Sequence, residues 1–186
     1  MPRETIIKKI YASYHSLLVN DRHLLDVDAS ERSLTHKLGQ YLQSEFDGWD
    51  VDCEYNRDLH EVKSVYPWEE KVEEILHEID NLPEGRRKNA LLYKLENGLS
   101  VFPDIIIHHR GTKDNLAVFE VKKSTFVGAD DDRDKLRAYL NDLSYQYAFK
   151  ITLPTGHDFC ALSDEFFKAY TDEQPPFFSK YIEIVE

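Results

Sequence analysis

The residues best suited to chemistry lie in the middle of the chain. They are Pro103-Asp104, then fifteen residues, then Glu120-Val121-Lys122. Residues 101–109 form an apolar, isoleucine-rich run, and 116–122 read as the next strand. Arg110-Gly111-Thr112-Lys113-Asp114-Asn115 between them is turn chemistry, so the spacing predicts a β-hairpin. Side chains alternate along a strand, which puts Glu120 and Lys122 on one face. A turn centred near residue 112 would set Asp104 opposite Glu120, while a one-residue slip would change the face of every side chain. Two carboxylates that close repel unless positive charge sits between them. A hard divalent cation with oxygen ligands, Mg²⁺ or Mn²⁺, resolves the repulsion. Such an ion lowers the pKa of a bound water and stabilises charge on a phosphate. Lys122 could orient that water or neutralise a developing oxyanion. The chemistry implied is metal-assisted hydrolysis, with phosphodiesters as the leading substrate class.

The elements that must position these groups follow from periodicity. Ile6, Ile7, Ile10, Tyr14, Leu17 and Leu18 predict a helix over 4–19. Asp28 or Ser30 caps a second helix running to about Phe46, with Leu34, Leu38, Tyr41, Leu42 and Phe46 on its apolar side. Asp47-Gly48 ends it. Trp49, Val51, Cys53 and Tyr55 alternate on one face of an expected strand over 49–55. Residues 58–98 are acidic and contain Pro67 and Pro83. They are expected to form a helical insertion, with one helix over about 68–79 and a short one around Leu91, Leu92 and Leu95. After the hairpin, Ala129-Asp130-Asp131-Asp132 offers N-cap carboxylates. The helix that follows should carry Leu136, Leu140, Leu143 and Tyr147 on one side. A strand is expected over 147–153, then a C-terminal extension over 154–186 with a short helix near 163–170 and a last strand over 181–185. The core order is helix, strand, insertion, strand, strand, helix, strand. This is an α/β pattern: one domain over 1–186, with a small mixed sheet flanked by helices.

Composition narrows the class. The chain has 186 residues, 41% hydrophobic and 31% charged, which is globular. No apolar run approaches the ~20 residues needed to cross a bilayer. The first residues lack a secretory signal pattern. Cys53 and Cys160 cannot build a disulfide framework, so a reducing cytoplasm is the expected location. The net charge of −12 argues against a basic, nonspecific nucleic-acid coat protein. The charge is uneven. It is −3 over 1–57, −4 over 58–98, 0 over 99–153 and −5 over 154–186. The neutral stretch is the one that holds the motif.

Pro103-Asp104 with Glu120-Val121-Lys122, in this order of elements, resembles the PD-(D/E)XK nuclease superfamily over residues 28–153. Glu54-Tyr55-Asn56-Arg57 and the run from Pro103 to Gly111 resemble small bacterial and phage-type members. The resemblance implies a restriction-endonuclease-like fold and a Mg²⁺- or Mn²⁺-dependent endonuclease. Asp104, Glu120 and the Val121 carbonyl would hold the metal, and Lys122 would be the catalytic cation. Many members also carry a Glu on the first core helix. Glu31 matches: it precedes Leu34, Leu38 and Leu42 at helical spacing, and it would support the metal. The substrate implied is nucleic acid, with DNA leading, and two copies of the chain could pair to cut both strands. The departures are the acidic insertion and the net charge. They motivate an alternative, a nuclease-fold module without activity that works through a protein partner.

Plainer readings stand beside these. Asp104 and Glu120 could lie on a solvated sheet face, with Lys122 as a salt-bridge partner, and Glu31 could be a first-turn carboxylate favoured by the helix dipole. Lys123 is expected to be exposed. His108 and His109 are adjacent, so they face opposite ways. One of them, His108, shares the face of Asp104, but a satisfied structural histidine is the default. His60-Glu61 and His77-Glu78 do not form HExxH, and there is no GxSxG element or P-loop. Arg86-Arg87-Lys88 reads as a solvated loop. Arg133, Lys135 and Arg137 are better phosphate candidates, and Tyr139, Tyr145 and Tyr147 are core by default.

Overall fold

A computed structural model describes residues 1–59, 61–126, 132–162 and 179–186. Helix α1 (Arg3–Asn20) buries Ile6, Ile10, Tyr14, Leu17 and Leu18. A five-residue helix α2 (Arg22–Asp26) follows, which periodicity did not foresee. Helix α3 (Glu31–Glu45) is capped by Ser30, whose side chain accepts the Ser33 N–H at 3.2 Å, and it buries Leu34, Leu38 and Leu42. Strand β1 (Asp50–Cys53) comes next. After the insertion come β6 (Ile105–His108), β7 (Asn115–Lys123), α6 (Asp132–Leu143) and β8 (Tyr147–Leu153). A short helix α7 (His157–Cys160) and strand β9 (Ile182–Val185) end the described chain.

The main sheet has five strands in the order β1-β6-β7-β8-β9. β6 is antiparallel to β1 and β7, β7 and β8 are parallel, and β9 is antiparallel to β8. The parallel pair needs a crossover, and α6 supplies it. Helices cover both faces, so β6 and β7 are apolar on both sides. Ile105, Ile107, Phe119, Val121, Phe149 and Ile151 pack under α1 and α3. Ile106, Val118, Ala148 and Val185 pack under Leu136, Tyr139 and Leu143 of α6. Each fully buried Leu, Ile or Phe contributes roughly 1.5–3 kcal/mol. The sheet is therefore a stiff platform for whatever polar groups share its faces.

The insertion is not purely helical. Short strands β2 (Arg57–Asp58) and β3 (Glu61–Val62) pair, and β4 (Ser64–Val65) pairs with β5 (Leu99–Ser100), which clamps its two ends together. Between them α4 (Glu69–Asp80) and α5 (Arg86–Asn97) share a small core of Ile75, Ile79 and Leu91.

Several expectations need correction. The strand expected over 101–109 begins only at Ile105, because the Val101 N–H goes to the Lys63 carbonyl of the insertion and Pro103 has no N–H to give. Tyr55 does not share the face of Val51 and Cys53. Glu54, with φ of 51°, breaks the alternation, and Tyr55 packs on the α6 side instead. Tyr147 belongs to β8 rather than to the helix face. The helix expected near 163–170, His60, and the capping candidates Asp130 and Asp131 lie outside the described residues.

Candidate functional site

The site begins with a mismatch in strand length. β6 pairs with β7 only as far as Ile105 opposite Phe119, so Glu120 to Lys123 run past its end. Continued by one residue, this register brings Asp104 opposite Glu120. The Asp104 carbonyl accepts the Glu54 N–H at 3.2 Å, and its carboxylate Oδ2 accepts the Val121 N–H at 2.8 Å. A strand residue directs its N–H and C=O to the same side. The Val121 carbonyl therefore opens toward the edge that Asp104 occupies.

Alternation sends Phe119 and Val121 into the α1/α3 core, and Glu120 and Lys122 to the α6 side. Glu120 is 1% exposed. Its carboxylate accepts from Lys135 Nζ at 2.8 Å and from the Tyr139 hydroxyl at 3.1 Å. Burial pushes the Glu120 carboxyl up to about 8, Asp104 adds to the rise, and Lys135 opposes it. Burial also holds the Tyr139 hydroxyl well above its usual range, so it remains a donor.

Lys122 stands where the two helix layers meet at the end of the sheet. Its Nζ lies 3.6 Å from Glu31 Oε1 on α3 and 4.0 Å from Asp132 Oδ1 on α6. Burial alone would lower its pKa, but Asp132, Asp104, Glu31 and Glu120 outweigh that and raise it. Lys122 is thus a fixed cation and a hydrogen-bond donor, not a base. Glu31 is half-buried in the first turn of α3 and also lines an open cleft of about 720 Å³. Asp104, Thr35, His36, Cys53 and Glu54 line the same cleft, and Arg32 pairs with Glu54 at 2.7 Å. The site therefore has an approach from solvent along the N-terminal end of α3.

The donors suit a hard cation. Asp104, Glu120, Glu31 and the Val121 carbonyl are all oxygen donors. The one thiol in the cleft, Cys53, is pushed up to about 11, chiefly by burial, and is a poor soft ligand at neutral pH. No three His, Cys, Asp and Glu side chains among the described residues converge into a ready metal cluster. Glu120 is turned toward Lys135 and Tyr139 instead.

Other candidates fall elsewhere. His108 is buried, and its Nε2 donates to Asp52 Oδ2 at 2.9 Å at the far end of β6. His109 stacks on Trp49 and bonds to Asp114 and to the Gly48 carbonyl. Lys123 is not simply exposed. Its Nζ reaches Asp28 Oδ1 at 2.9 Å and the Ala29 carbonyl at 3.3 Å, tying the turn before α3 to the sheet. Of the helix cations, Lys135 faces Glu120, Arg133 pairs with Glu183 at 2.7 Å and Arg137 pairs with Asp134 at 2.8 Å. In the insertion, Arg87 pairs with Glu78 and Lys88 with Glu84.

Sequence reasoning missed Lys135, Tyr139 and Asp132 as members of the site. The signal was available for the first two: they are four residues apart on α6, on the helix face that covers the sheet. Among the described residues, no helix is long and apolar enough to cross a membrane. No family model matches the chain, and no curated protein or solved structure matches it either.

Proposed function

We propose that this protein is a Mg²⁺- or Mn²⁺-dependent nuclease of the restriction-endonuclease-like class that hydrolyses phosphodiester bonds, with DNA as the leading substrate. One observation carries the reading: Asp104, Glu120 and Lys122 come together at the unpaired end of β7, with the Asp104 carboxylate on the Val121 N–H between the other two and Glu31 3.6 Å from Lys122. The connectivity supports it as well. Helix α3, strands β1, β6 and β7, crossover α6 and strand β8 follow the order of that class, with two antiparallel pairings and one parallel.

Asp104, Glu120 and the Val121 carbonyl would hold the cation, which supplies an activated water and charge stabilisation at the phosphate. Lys135 and Tyr139 keep Glu120 in one rotamer and restrain its charge. Lys122, held protonated by its four carboxylate neighbours, donates to the attacking water or to a phosphate oxygen. Glu31 and Asp132 fix the Lys122 side chain from opposite layers.

Cleavage of single- and double-stranded DNA and RNA in Mn²⁺ tests this. Lys122→Met should lower the rate by about 10²–10³-fold with an unchanged melting temperature. A Lys122→Met protein that cleaves as fast as wild type would refute the assignment. A second reading, a non-catalytic module with a protein partner, is favoured by one fact: Lys135 and Tyr139 already satisfy Glu120. It predicts no cleavage by the wild type and a stoichiometric partner.

A further inference from the structure

Among the described phenylalanines, Phe46, Phe119, Phe149 and Phe159 are buried, as rings without a polar handle normally are. Phe102 and Phe126 are the exceptions, 54% and 47% exposed. Both stand at the candidate centre. Tyr66 and Tyr93, exposed on the insertion, each carry a hydroxyl that water can solvate. An exposed phenylalanine has only its ring to offer.

Each ring is carried on anchored backbone. Val101 and Pro103 are buried, so alternation turns Phe102 outward together with the half-buried Asp104, two residues on. The Val101 N–H donates to the Lys63 carbonyl at 3.0 Å, and the Pro103 ring fixes its own φ. On the other side, Phe126 closes the turn after β7. Its N–H donates to the Lys123 carbonyl at 3.0 Å, and the Ser124 N–H donates to the Leu153 carbonyl at 2.8 Å. Lys122 Nζ lies 5.6 Å from the Phe126 ring centre, within cation–π range. One ring therefore adjoins the Asp104 end of the centre, and the other adjoins Lys122.

Charge indicates what two such rings would hold. The protein has a net charge of −12, and Asp132, Asp104, Glu31 and Glu120 act on Lys122. Nonspecific affinity for a duplex comes from many Lys and Arg contacts to phosphate, which suits an acidic chain poorly. Stacking of bases on aromatic rings supplies affinity without charge, and every base has a face to offer. In a duplex those faces are stacked on one another, whereas an unpaired strand can splay them onto side chains.

We infer that the centre takes an unpaired DNA strand, with a base on Phe102 to one side of the scissile phosphate and a base on Phe126 to the other. The inference rests on the function proposed above for the reaction at that phosphate, while strand binding itself requires no cleavage. Stacking is indifferent to base identity, so the two rings set strand type and register and not sequence.

The test uses the full chain with a fluorescent single-stranded DNA oligonucleotide and the same sequence as a blunt duplex. Binding is followed by anisotropy in Ca²⁺ and cleavage in Mn²⁺, for wild type, Phe102→Ala, Phe126→Ala and Phe102→Trp. Neither ring belongs to a hydrophobic core, so the variants should melt with wild type. Wild type should bind the strand at least about tenfold more tightly than the duplex, and each alanine variant should lose about tenfold on the strand. The salt dependence should not change, because stacking and not charge is removed. Phe102→Trp should bind as wild type does. Alanine variants with wild-type affinity, or a duplex bound as tightly as the strand, would overturn the inference and leave the nuclease reading standing. Weakened strand binding by the alanine variants of a wild type that does not cleave would uphold the stacking rings and refute the nuclease reading. A wild type that does not bind the strand would overturn the inference, with cleavage in Mn²⁺ judged separately.

Discussion

Two polar clusters occupy opposite ends of β6, and they are built from similar residues. At the end near His108, Asp52 accepts from His108 and takes both Nε and Nη2 of Arg110, and Asp50 lies 3.2 Å from Arg110. Lys63, 2% exposed, donates to the Arg57 carbonyl at 2.6 Å and lies over the Tyr55 ring. Burial raises the Asp52 carboxyl, but Arg110 and His108 outweigh it and hold the group below its usual range. At the other end, among the described residues, Lys122 and Lys135 are the cations beside Glu31, Asp104, Glu120 and Asp132, and the Glu120 carboxyl is driven up. The first cluster is closed: each charge has its partner and the strands β1 and β6 are locked by it. Among the described residues, the second has more carboxylates than cations at the rim of a cleft. That excess is what a cation would relieve, and it separates a structural network from a candidate reactive one.

Substituting across the pair breaks the comparison most sharply. Asp104→Ala should reduce cleavage by about 10³-fold with little change in unfolding. Asp52→Ala should leave cleavage within about threefold but cost ~2–3 kcal/mol in stability, because the bonds it makes to charged groups are lost. Steady-state kinetics beside chemical denaturation reads both effects. If Asp52→Ala abolished cleavage at full occupancy of the fold, the division between the clusters would be wrong.

Lys135→Met comes next in size. It removes one of the two groups that restrain Glu120, so the Glu120 carboxyl should rise further and the acidic limb of the rate profile should move to higher pH. The rate at optimum should fall about tenfold, the low end of what losing a partner of a metal-ligating group costs. An unshifted profile would show that Lys135 does not act through Glu120.

The smallest effects are in the pH dependence of stability, and they have opposite signs in the two clusters. Glu120 binds its proton more tightly folded than unfolded, so its contribution is complete below about pH 4.5 and is lost as pH rises through about 8. Lys63 is lowered to about 8, chiefly by burial, so the unfolded chain binds the extra proton between about 8 and 10.5 and stability gains with rising pH there. Thermal melts of Glu120→Gln and Lys63→Met against wild type should flatten the first window and the second, respectively. Lys63→Met should otherwise lie within ~1 kcal/mol of wild type, since an apolar chain of similar volume replaces a buried charge.

Much of this was legible in the sequence. The order of the core elements, the Ser30 cap and the register of the hairpin follow from periodicity and turn chemistry, because two-sided burial forces the apolar runs of β6 and β7. The start of β6 was not legible: it depends on a hydrogen bond from Val101 to Lys63 across the insertion, which no local pattern encodes. Nor was the Tyr55 reversal, which turns on the positive φ of Glu54. In the candidate site, the convergence of Asp104, Glu120 and Lys122 was readable from type and spacing. Lys135 looked like a phosphate-contacting cation and Tyr139 like a core aromatic, since their role depends on α6 crossing back over β7.

The central claim is that Asp104 and Glu120 form a divalent-cation site. Titration calorimetry with Mn²⁺ tests it most directly, comparing wild type with Asp104→Ala/Glu120→Ala at pH 8. The account predicts binding by the wild type that the double variant loses. Equal binding by both proteins, or no binding by the wild type, would contradict it.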